Sequence, residues 1–138
     1  MGAYHTQLYA HLVWTTWGRQ PLLGDDITPR VYAALAAKSR ERKALPLAIG
    51  GTADHVHVLV RFHAAISLAA LVGEMKGASS FLINTERLTE ERFRWQGGYG
   101  AFTLWREDTP SVERYIIRQK EHHRAGALVA LWESTSSP

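Results

Sequence analysis

The stretch Asp54-His55-Val56-His57-Val58-Leu59-Val60-Arg61-Phe62 decides the fold. Side chains of a strand point alternately to opposite faces, so Val56, Val58, Val60 and Phe62 share one face and His55, His57, Leu59 and Arg61 the other. This alternation, rich in β-branched residues, predicts a strand whose fully apolar face must be covered. It also places two imidazoles at i, i+2 on the opposite face, with Cβ atoms roughly 6.5–7 Å apart.

Upstream, Gly50-Gly51-Thr52-Ala53 reads as a turn and Leu45 to Ile49 as a short strand. Thr28-Pro29 predicts a helix start, with Thr as cap and Pro at the first helical position. Val31, Ala34, Leu35 and Lys38 then follow helical spacing, and the cations of Lys38 to Lys43 suit the helix end. Gly18 to Asp26, with Pro21 and Gly24, reads as a loop. Before it, about Tyr4 to Trp17 predicts a long strand, Leu8, Ala10, Leu12 and Trp14 alternating with Tyr9, His11 and Val13. Downstream, Ser67 caps a helix whose buried stripe is Leu68, Leu71, Val72, Met75, Ser79 and Leu82. The glycine-rich Trp95 to Gly100 leads into a strand of about Ala101 to Trp105. A last helix opens at Asp108-Thr109-Pro110 and is expected to run to about Ala125. The order β-α-β-β-α-β plus a helix is the ferredoxin-like, RRM-like α+β plan: four antiparallel strands, two helices on one face, and the other face left for a ligand, a partner or the additional C-terminal helix.

A chain of 138 residues without an internal linker predicts one domain, about residues 4–125, followed by a short tail, 126–138. The absence of cysteine excludes a disulfide scaffold, a thiolate zinc site and a cysteine nucleophile. A net charge of +3 and a pI near 9.4 permit a polyanionic partner without demanding one. No apolar run is long enough to span a bilayer, and Met1 to Trp14 has no signal-peptide pattern, so a cytoplasmic protein without a membrane partner is expected. Five Trp and five Tyr suit a core, an interface or base stacking alike.

Two constellations carry potential chemistry. His55 and His57 can converge on one metal ion, although a bare His-x-His is also what two polar residues on a half-exposed strand look like. Tyr115 and Gln119, four apart on the last helix, share a face. A phenol with an ordinary pKa of about 10 is a weak nucleophile, which a neighbouring cation would assist, and a Gln amide oxygen suits a hard cation. By themselves Tyr and Gln on a helix are usually packing and solvated surface, and these two gain meaning only if that helix docks on the histidine face. Asp54 could orient a histidine, and His122 and His123 could reach the same region. Lys76, Arg92, Arg94, Arg106, Arg114 and Arg118 could meet phosphates. Trp95 and Tyr99 could stack on bases or pack the core.

These segments together resemble a family. Asp54 to Val60 is similar to the His-hydrophobic-His (HUH) motif of single-tyrosine transposases of bacterial insertion sequences, a motif shared by the REP-associated tyrosine transposases. Tyr9 to Thr16 resembles their opening strand, Met75 to Ser80 their second helix, Phe93 to Phe102 their loop and last strand, and Tyr115 to His123 their catalytic helix. The resemblance runs in order over about residues 4 to 125. Departures are Trp105, where a smaller residue is expected, and Leu128 to Trp132 in place of a longer tail. The resemblance implies that Tyr115 is the nucleophile and that His55, His57 and Gln119 hold Mg²⁺ or Mn²⁺. It further implies a homodimer acting on single-stranded DNA with hairpin ends through a 5′-phosphotyrosine. Lys76, Arg94, Trp95, Tyr99 and Arg118 are the candidate DNA contacts. A domesticated REP-processing nuclease with the same chemistry, a metal-dependent hydrolase using water, and a non-catalytic single-strand-binding module are the rival readings.

Overall fold

The computed structural model describes residues 6–119. Its elements follow the expected order: β1 (Leu8–Thr15), α1 (Thr28–Glu41), β2 (Leu45–Thr52), β3 (His55–Phe62), α2 (Leu68–Thr85), β4 (Gly100–Leu104) and α3 (Thr109–Ile117). The four strands form one antiparallel sheet in the order β2-β3-β1-β4. β1 ends sooner than expected. It stops at Thr15 because Thr16 turns the chain, its hydroxyl donating to the Gln20 carbonyl at 2.7 Å, and Gly18 adopts φ 61°. No helix among the described residues is long and apolar enough to cross a membrane.

One face of the sheet carries the main core. Ala10, Leu12 and Trp14 of β1 and Val56, Val58 and Val60 of β3 pack with Val31 and Leu35 of α1 and with Leu71, Val72, Met75 and Ile83 of α2. Burying each large aliphatic side chain contributes about 1.5–3 kcal/mol. In α1 the inward position is Ser39, whose hydroxyl donates to the Ala44 carbonyl at 2.7 Å, while Lys38 pairs with Glu41. In α2 the stripe ends on Ile83, and Leu68 and Leu82 are only half-buried. Ser67 caps α2 as expected, accepting from the Ala70 amide. Thr28 does not cap α1: its own amide, like that of Ile27, donates to the Gly24 carbonyl, so the preceding turn starts the helix.

The expected turn at Gly50 to Ala53 is also shorter. β2 runs on through Thr52, and Ala53 and Asp54 alone make the turn to β3. The two glycines serve space rather than turning. A Cβ on Gly51 would lie 2.1 Å from the His55 carbonyl oxygen, and one on Gly50 would lie 2.2 Å from that of Ile116.

Ile116 belongs to α3, which covers the second face of the sheet. Val112 and Ile116 pack on Ala48 of β2 and Leu59 of β3, with Leu47 and Leu104 beside them. This small second core leaves β1 and most of β3 buried from both sides. α3 ends sooner than the expected run to about Ala125: Arg118, at φ −97° and ψ 25°, leaves helical geometry after Ile117. Residues 120–138, with the tail expected over 126–138, lie outside the described residues. Gly50→Ala is expected to push α3 off its seat and to destabilise the domain by about 1–3 kcal/mol, as overpacking does, read by urea denaturation.

Candidate active site

β3 places His55 and His57 on the face that α3 covers, and both are fully buried. Their rings lie 5.0 Å apart between centroids, at 72°. α3 brings Tyr115 edge-on to His57, with centroids 5.9 Å apart, and just past its end Gln119 reaches His55. The two constellations separated in sequence are therefore adjacent in space and within one chain.

The hydrogen bonds define what His55 presents. Its Nδ1 lies 2.7 Å from Asp54 Oδ1 and 2.8 Å from the Thr52 hydroxyl, which itself donates to Asp54 Oδ1 at 3.1 Å. An ionised carboxylate only accepts, so Nδ1 carries a proton, and in the neutral form of the ring the lone pair is then on Nε2. Burial works to raise the Asp54 carboxyl, but the hydrogen bond and charge of His55, the Thr52 hydroxyl and Arg19 outweigh it and hold the group below the usual carboxylate range. Opposite Nε2, at 3.2 Å, stands Gln119 Oε1. The other end of that amide is committed, since its Nε2 donates to the Tyr115 carbonyl at 3.2 Å. With the ring neutral two acceptors face each other, an arrangement that suits a shared cation.

Among the described residues no group of three or more His, Cys, Asp or Glu side chains could hold a metal ion. Among the described residues the Gln119 amide oxygen is the donor placed beside His55 Nε2, so it could complete a metal centre with the two imidazoles. A nitrogen, nitrogen and oxygen donor set, all neutral, fits a divalent cation that keeps further positions for water or phosphate oxygens.

Two contributors carry no signal in the sequence pattern. Thr52 joins Asp54 in holding His55. His11 of β1, also buried, sets its Nε2 2.7 Å from His57 Nδ1. In the β1–β3 register Val13 is opposite His57, so His11 is its diagonal neighbour on the same face. Only the strand register reveals that contact.

The candidate DNA contacts divide. Trp95 is a core residue: its ring meets Phe93 and Trp14 edge-on and its Nε1 donates to the Ser79 hydroxyl at 3.0 Å. Tyr99 is half-buried against the same core. Lys76 donates to the carbonyls of Gln96 at 2.9 Å and Gly98 at 2.7 Å, fixing the glycine-rich loop, and burial lowers its pKa. Arg94 is exposed and lies over the Trp17 ring at 3.8 Å. Arg92, Arg94 and Lys76 line one groove beside α2, and Arg118 is exposed at the end of α3. His122 and His123 lie outside the described residues.

The family model described as "Transposase IS200 like" matches residues 4–119. A crystal structure of a candidate transposase from Deinococcus radiodurans R1 superposes with a TM-score of 0.67 at 21% identity, covering 84% of this chain and 93% of that one. A REP-associated tyrosine transposase bound to a REP hairpin superposes with a TM-score of 0.60 at 14% identity, covering 93% of this chain and 76% of that one. No curated protein matches the sequence. Asp54→Ala is expected to weaken Mn²⁺ binding about 10–100-fold, the usual cost of losing a partner that orients a ligand, as read by titration calorimetry.

Proposed function

The chain belongs to the IS200-like transposase family, and on that footing we propose that it cuts and rejoins single-stranded DNA with Tyr115 as nucleophile. The observation that carries this reading is the position of the Tyr115 ring 5.9 Å from His57, on the helix whose following residues set Gln119 against His55. His55, His57 and Gln119 would hold Mg²⁺ or Mn²⁺, which when bound polarises the scissile phosphate and offsets its developing charge.

Tyr115 attacks the phosphorus in line. The bond to the 3′ oxygen breaks, the phenol proton is lost, and the leaving oxygen departs as a 3′-OH after taking up a proton. The 5′ phosphate stays on the tyrosine. One phosphoester replaces another, so a 3′-OH from a different end can reverse the step without ATP.

Hairpin-bearing DNA ends are the proposed substrate, with the exposed Arg94 and Arg118 as phosphate contacts. Two ends require two nucleophiles, which supports a homodimer. Each copy would carry a complete site, since Tyr115 lies beside its own chain's imidazoles. A single-strand-binding module that reads bases on an open sheet face is disfavoured, because α3 covers that face.

Tyr115→Phe should form no SDS-resistant adduct with single-stranded DNA from the flanks of its gene, while hairpin binding stays near wild type; an adduct from that variant contradicts the assignment. Mixing His57→Ala copies with Tyr115→Phe copies should restore no adduct. Recovery of activity in the mixture would show that the tyrosine serves the partner's site.

A further inference from the structure

The proposed cation site has two imidazole ligands, and both turn the same ring atom toward a supporting group. His55 directs Nδ1 to Asp54 and Thr52, and His57 directs Nδ1 to His11 Nε2 at 2.7 Å. In each ring Nε2 is the other nitrogen, the one a cation would take. One proton lies between His11 and His57, and its position decides whether His57 can act as a ligand. If His11 donates, a neutral His57 carries its own proton on Nε2 and has no lone pair there. If His57 donates, the lone pair is on Nε2.

We propose that His11 is a positioning residue that accepts the Nδ1–H of His57 and holds that ring in its metal-binding tautomer. The inference rests on the reading of His57 as a ligand. Both rings are fully buried, their centroids 4.9 Å apart, so bulk water does not replace the bond if it is lost. The neighbours of His11 restrict its ring as well: Phe102 of β4 lies 6.3 Å away and Tyr115 6.4 Å away between centroids. β1 thus contributes to the site from the interior of the sheet, where strands β3 and β4 pair with it on both sides. The two ligands are also supported unequally, His55 by a carboxylate and His57 by a neutral imidazole.

The test combines two readouts that do not depend on DNA cleavage. Imidazole ¹⁵N shifts of the metal-free wild-type protein should show His57 protonated on Nδ1. Mn²⁺ affinity should fall about 10–100-fold in His11→Phe, which keeps a ring but offers no acceptor, and recover in His11→Gln, whose amide oxygen accepts. Protonation of His57 on Nε2, or wild-type Mn²⁺ affinity in a folded His11→Phe, overturns the inference. Should His11→Phe fail to fold, the ¹⁵N shifts decide alone. Mn²⁺ binding that survives His57→Ala would instead overturn the ligand reading itself.

Discussion

The site depends on how closely α3 lies against β2. At Gly50 the sheet offers bare backbone, and the Ile116 carbonyl occupies the space a side chain would fill. Val112 and Ile116 secure that contact on Ala48 and Leu59. Tyr115 and Gln119 reach the imidazoles only because the helix sits at this depth. A side chain at position 50 would meet the Ile116 carbonyl and displace the helix that carries Tyr115.

Around that contact the protein arranges neutral donors in a dry space. Thr52 and Asp54 fix the tautomer of His55, and the backbone carbonyl of Tyr115 fixes the amide of Gln119. Each of these two groups is oriented by another, so little ordering would remain to be done on binding the proposed cation. The bond from Gln119 to the Tyr115 carbonyl couples the position of the amide to the backbone that carries the phenol.

Much of the fold was legible because it follows local rules. The alternation through His55 to Phe62 and the cap at Ser67 needed no tertiary information. The glycines at 50 and 51 were read as a turn because glycine commonly marks one, whereas Gly50 answers to a helix distant in sequence and Gly51 to the backbone of the next strand. Trp95 shows the same limit: the sequence leaves base stacking and core packing open, and Ser79 and Phe93 draw the ring into the core. The sequence offers Lys76 as a phosphate contact but gives no sign that it also holds the loop carbonyls. His11 acquired a role only through strand register, and Thr52 only through the turn that folds it back on His55, neither of which a short-range pattern encodes.

Anomalous diffraction from crystals of the protein soaked in Mn²⁺ tests the central claim most directly. The account predicts one strong peak between His55 Nε2, His57 and Gln119 Oε1, at ~2.0–2.2 Å from each donor. A peak elsewhere with these three side chains left unliganded would contradict it.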